Sequence, residues 1–168
     1  FAHLRFLLSK FVEDKKYLNI FLSKEGFKIF KIAMTSSWIH DSDLDFSSEG
    51  ESYIKSFIVY FMYANWPLLD NAKDMNSMKA YYLSDERLEM YCDQLELSKY
   101  YIIDEDIVKD IKLKMEILKS FIGSMVFIAE KYIGKYMGGI FVFRLFEQIM
   151  KNQEWKMDNS EDFGMSKY

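Results

Sequence analysis

Apolar residues recur along this chain at intervals of three and four, the spacing that places side chains on one face of an α-helix. From His3 to Leu22, the positions Leu4, Leu7, Leu8, Phe11, Val12, Leu18 and Phe21 are separated by Lys10, Glu13, Asp14, Lys15 and Lys16, which predicts one amphipathic helix or two short ones. A second helix is expected over Lys24 to Met34, ended by Thr35, Ser36 and Ser37. The stretch His40 to Gly50, rich in Asp, Ser and Glu, reads as a loop. Ser47 or Ser48 can cap the helix that follows, with Glu51 in its first turn near the positive end of the dipole. That helix, Glu49 to Asn65, is apolar on nearly all sides and is expected to be buried; Pro67 ends it.

A loop over Leu68 to Asp74 leads to a helix from Met75 to Leu83, and the capping sequence Ser84-Asp85-Glu86 opens another that runs to Leu97. After the short piece Lys99 to Ile103, Asp106 to Ile133 reads as one long helix, charged in its first half and apolar in its second, with Gly134 as its stop. A last helix covers Met137 to Gln153. The expectation is an all-α domain over residues 1–153, of seven or eight helices with no sheet, and a polar C-terminal tail over 154–168.

Composition agrees with one folded helical domain. A chain of 168 residues can bury one ordinary core, and 18% aromatic residues exclude a disordered chain. One Pro and seven Gly leave few turn-formers for many short strands. The single cysteine, Cys92, allows neither an internal disulfide nor a thiolate zinc site, which points to a reducing compartment. The apolar runs Phe57 to Ala64, Phe121 to Ala129 and Gly138 to Phe143 fall well short of the ~18 residues of a membrane span. A sequence that opens on Phe1 rather than Met is expected of a processed or trimmed chain. The net charge of −4, from 22 basic and 26 acidic residues, excludes a surface that grips nucleic acid everywhere and leaves only local contacts.

Candidate chemistry is sparse. Asp41, Asp43 and Asp45 have the alternation of an EF-hand, but Phe46 stands where the turn needs Gly and Ser52 where a bidentate Glu closes the site, so a solvated acidic loop is expected. His3 and His40 are the only histidines and are far apart, so no base stands beside Cys92, which reads as a small packing residue. Gly138-Gly139 lacks the Lys-Ser/Thr of a phosphate loop. No cofactor or metal is implied.

The order of segments is more informative. Met75-Asn76-Ser77-Met78-Lys79-Ala80-Tyr81-Tyr82-Leu83-Ser84-Asp85-Glu86-Arg87-Leu88, followed by Leu95-Glu96-Leu97, resembles the ribonuclease III domain, in register at Ser77, Met78, Lys79, Ala80, Leu83, Ser84 and Leu88. Upstream, Ile32-Ala33-Met34-Thr35-Ser36-Ser37-Trp38 is similar to the family's Ala-Leu-Thr-His-x-Ser-Tyr element. Downstream, Glu116 to Ala129 resembles its long final catalytic helix. The resemblance spans about residues 15 to 150. It implies a ribonuclease III-like helical domain, here without the family's double-stranded-RNA-binding domain.

The family holds divalent metal with carboxylates on a signature helix, Glu-x-Leu-Glu-Phe-Leu-Gly-Asp, and on a later Asp-x-x-Glu. Laid on this chain, the signature keeps Glu51 but puts Ile54 in place of Gly and Lys55 in place of Asp. The later pair falls on Ser120 and Gly123, or one residue earlier on Lys119 and Ile122. Magnesium needs anionic oxygens to offset its dehydration, and an ammonium at Lys55 repels it. The resemblance therefore implies a pseudoenzyme.

In kind, it is most like the degenerate ribonuclease III-like proteins of the mitochondrial ribosome large subunit. These imply a mitochondrial protein that dimerises, as a heterodimer with a second ribonuclease III-like protein or as a homodimer, and that sits among ribosomal proteins and rRNA. An abundance of Lys, Ile, Phe, Tyr and Met is compatible with an AT-rich organellar or protist genome. Local RNA contacts would come from Lys10, Lys15 and Lys16, from Lys24, Lys28 and Lys31, and from Lys109, Lys112 and Lys114, clusters that also fit the solvated faces of helices. The alternative role is a non-catalytic partner in an RNA-processing or RNA-editing complex.

Overall fold

The computed structural model describes residues 1–35, 45–67, 71–101 and 110–151. Among these residues the chain is all-α, with eight α-helices, one 3₁₀ helix and no strand. The first amphipathic stretch is two short helices, α1 (Ala2–Ser9) and α2 (Lys15–Phe21), because the Asp14 carboxylate accepts from the Lys16 amide at 2.7 Å and restarts the helix. Ser23 caps α3 (Lys24–Ala33) by accepting from the Gly26 amide at 3.1 Å.

The next helix, α4 (Ser47–Asn65), begins two residues before the expected Glu49, and neither Ser47 nor Ser48 caps it. Asp45 does that work instead, accepting from the Ser47 amide at 3.0 Å and from the Ser48 hydroxyl at 3.1 Å. Of the acidic loop, residues 41 and 43 lie outside the described residues. Helix α4 is also not buried all round. Ile54, Phe57, Ile58 and Met62 face the core, while Tyr60 and Tyr63 are each 48% exposed.

Asn71 caps α5 (Ala72–Tyr82), and Ser84 precedes α6 (Asp85–Gln94). The Ser84 side chain does not cap α6; it turns back to donate to the Tyr81 carbonyl at 2.9 Å. Helix α6 stops short of the expected Leu97, because Glu96 takes a left-handed conformation (φ 53°) that no α-helix can continue. A 3₁₀ helix, Leu97–Tyr100, follows.

Asp110 caps α7 (Ile111–Tyr132), which begins later than the expected Asp106, residues 102–109 lying outside the described set. The polarity gradient along α7 matches its surroundings: Lys112 is exposed, whereas the segment from Ile117 to Val126 is entirely buried save for Lys119 and Ser120. Helix α8 (Gly138–Lys151) closes the fold. The Glu130 carboxylate on α7 accepts from the amides of Tyr136 and Gly138, the latter at 3.1 Å, and so fixes where α8 starts. The tail 154–168 lies outside the described residues. None of the described helices is long and apolar enough to cross a membrane.

Helix α7 is the axis of the core and packs against α2, α3, α4, α6 and α8. Around it, aromatic rings lock neighbouring helices together. Phe57 of α4 lies 5.2 Å from Phe146 of α8, and Phe30 of α3 lies 5.4 Å from Phe121 of α7, separations at which ring pairs attract beyond simple area burial. Cys92 is fully buried in this core, as a packing residue would be, and burial pushes its thiol from 9.0 up to about 12.

Candidate functional site: the α4–α7 crossing and the lysine faces

Helices α4 and α7 approach backbone to backbone, and two glycines make this geometry. A Cβ on Gly50 would lie 1.9 Å from the Lys119 carbonyl oxygen, and one on Gly123 would lie 1.8 Å from that of Phe46. No side chain of any kind fits at either place. Gly123, which the resemblance sets at a catalytic position, is thus a contact residue of the helix crossing.

The same crossing assembles a charged cluster. Glu51 pairs with Lys55 one turn on along α4, at 3.2 Å, and with Lys119 of α7 at 3.8 Å. Lys119 also pairs with Glu116 at 3.5 Å, and the Ser47 hydroxyl donates to Glu116 at 2.6 Å. Only 12% of the Lys119 side chain is exposed, so its ammonium lies between two carboxylates with its stem packed beneath them. Ser120 is half-buried on α7 beside it.

Of the residues aligned with catalytic positions, the fold brings Glu51, Lys55, Lys119 and Gly123 to one crossing, and it adds Glu116, which sequence reasoning missed. Its signal was its place three residues before Lys119 on one helix face. The donor set does not suit a divalent cation. Two ammonium groups already stand within ion-pairing distance of Glu51, and an incoming cation would meet both. Among the described residues no group of three or more His, Cys, Asp or Glu is gathered as metal ligands.

The lysines of the three basic clusters have different surroundings. Lys24, Lys28 and Lys31 are all exposed on α3, and the exposed Phe27 stands among them. Lys15 and Lys16 are exposed at the start of α2, and the Lys10 ammonium lies 4.3 Å from the centre of the Phe6 ring. Lys112 is exposed, while Lys109 lies outside the described residues. Lys114 is held at 3.0 Å from Asp93 and 3.1 Å from Glu89, tying α7 to α6, and the hydrogen bonds to these two carboxylates raise its pKa.

His3 is not paired with Cys92. Its Nε2 lies 3.0 Å from the Leu95 carbonyl and its ring stacks on Tyr100 at 4.3 Å. His40 lies outside the described residues. Where α4 meets α8, Tyr60 contacts Phe143 with ring centres 5.2 Å apart; elsewhere on α8, Ile140 is 44% exposed.

Compared with known proteins, the chain matches no protein-family model and no curated protein.

Proposed function

We propose that this chain is a non-catalytic, ribonuclease III-like structural subunit of a mitochondrial ribosome large subunit, acting by dimerisation and by local rRNA contacts. The observation that carries the non-catalytic part is the Lys119 ammonium held between Glu51 and Glu116 at the α4–α7 crossing. In ribonuclease III the positions that the resemblance aligns here carry carboxylates that converge on metal; in this chain lysine supplies the positive charge, and a side chain cannot leave its site or activate water as a hydrated ion does. The ribonuclease III-like and ribosomal parts rest on the order of motifs in the sequence. Dimerisation draws support from the exposed large side chains of Tyr60 and Tyr63 on α4 and of Ile140 on α8.

Two experiments test this reading. Purified chain incubated with double-stranded RNA and magnesium or manganese is expected to leave the RNA intact; metal-dependent cleavage abolished by Glu51→Ala would overturn it. Native affinity purification is expected to recover large-subunit ribosomal proteins and a second ribonuclease III-like chain. Recovery of editing ligases and uridylyl transferases instead would establish the alternative, a non-catalytic partner in an RNA-processing complex.

A further inference from the structure

Helices α1 and α3 and the 3₁₀ helix frame a surface that has no part in the α4–α7 cluster. A cavity of about 250 Å³ opens there, lined by Phe1, His3, Phe27, Lys31 and Tyr100 above a floor that includes Phe121. Its volume is below the roughly 300–1,000 Å³ of pockets for drug-sized ligands. A single planar ring is a better match.

The rim is aromatic and exposed, with Phe1 at 55%, Phe27 at 37% and Tyr100 at 50%. Tyr100 is held face to face on His3 at 4.3 Å, and His3 is itself tied to the Leu95 carbonyl, so the ring is presented in a fixed pose. Phe27 is set edge-on against Phe1 at 5.5 Å. Such rings are costly to leave in water, and they are aligned for stacking.

Among the described residues, the charge beside them is positive. At 3.6 residues per turn, Phe27, Lys31, Lys24 and Lys28 fall within about a 100° arc of α3, with no acidic residue inside it. Together α1 and α3 carry Arg5, Lys24, Lys28 and Lys31 against a single carboxylate, Glu25. The nearby Glu96 carboxylate is already held by Lys99. In a chain of net charge −4, these two helices carry the opposite sign.

We propose that this face binds single-stranded RNA, with Phe27 and Tyr100 stacking on unpaired bases and Lys24, Lys28 and Lys31 holding the phosphates between them. Stacking platforms bordered by cations are how proteins hold single strands without reading sequence. A duplex keeps its bases stacked on each other and offers the rings nothing. A docked apolar protein segment could use the floor but would leave the three lysines without partners. The inference deepens the proposed role as an RNA-associated subunit and rests on it.

The test is fluorescence anisotropy of the whole chain with a labelled oligouridylate of about 12 nucleotides, within the usual site size, and with a duplex of equal length. The oligouridylate is expected to bind more tightly than the duplex. Tyr100→Ala and Phe27→Ala should each weaken it by roughly fivefold or more, while Tyr100→Phe retains binding. Lys28→Gln, an exposed change that cannot unfold the helix, should lower the slope of log affinity against log salt by about 0.7. Absence of oligouridylate binding, duplex binding as tight or tighter, or Ala variants that bind like the parent chain with unchanged circular dichroism would each overturn the inference. Failure here with ribosomal co-purification intact removes this site and spares the assigned role; RNA binding without ribosomal partners does the reverse.

Discussion

The α4–α7 crossing and the face made by α1, α3 and the 3₁₀ helix use lysine to opposite ends. At the crossing, glycines bring two backbones together and the lysine is locked between carboxylates. On the face, rings stand out in solvent and the lysines of α3 sit on its exposed side. A charge that is neutralised within the fold contributes to shape, whereas one left beside exposed aromatic surface is available to a partner. The position that alignment sets at a catalytic place is thus held by contacts within the fold, and the proposed binding surface lies where no catalytic motif falls.

Substitutions should separate the two regions. The largest expected effect is at the crossing, where Gly123→Ala forces apart two backbones and should cost about 3 kcal/mol or more. For a chain of this length that lowers the melting temperature by roughly 10 °C; an unchanged melting curve would mean that the helices do not meet as described.

Next comes the alkaline limit of the buried core. The folded state keeps the Cys92 proton, at a pKa of about 12, where the unfolded chain releases it near 9.0. Burial also raises Tyr82 and Tyr91 above their ordinary 10.0. The folded state thus binds more protons than the unfolded one above pH 9, so stability is full below pH 9 and falls as pH rises toward 12. Urea midpoints at about pH 8 and about pH 10.5 should differ, the second being lower, and Cys92 should react with a thiol reagent only after unfolding.

Removing the trapped ammonium is a smaller change. Lys119→Met should cost about 1 kcal/mol, because Glu51 and Glu116 are partly exposed and can recover water, and high salt should shrink the difference. Smallest are Lys55→Ala, whose pair with Glu51 is exposed and within one helix, and Lys28→Gln on the open face. Each should alter stability by no more than about 0.5 kcal/mol. If Lys28→Gln destabilised the chain as much as Gly123→Ala, the separation of roles would fail.

The helices were legible because periodic apolar residues carry both the element and its buried face, most clearly along α7 and α8. Their ends were less so. A cap is settled by which of several adjacent polar side chains reaches an amide, and Asp45 reaches where Ser47 and Ser48 were expected. The end of α6 depends on the left-handed backbone of Glu96, an unusual conformation for a residue of its kind. The pairing of Gly50 with the backbone of α7, and of Glu51 with Lys119, joins positions far apart in sequence that no local pattern connects. Phe27 and Tyr100 were hidden for another reason: at helical spacing an aromatic reads as core, and only the fold reveals which rings are left outside.

That Lys119 serves as the crossing's own cation is tested by manganese binding, followed by electron paramagnetic resonance of the free ion. Adding the protein is expected to leave the free-ion signal unchanged, and Glu51→Ala to make no difference. A stoichiometric loss of free manganese that Glu51→Ala restores would contradict it.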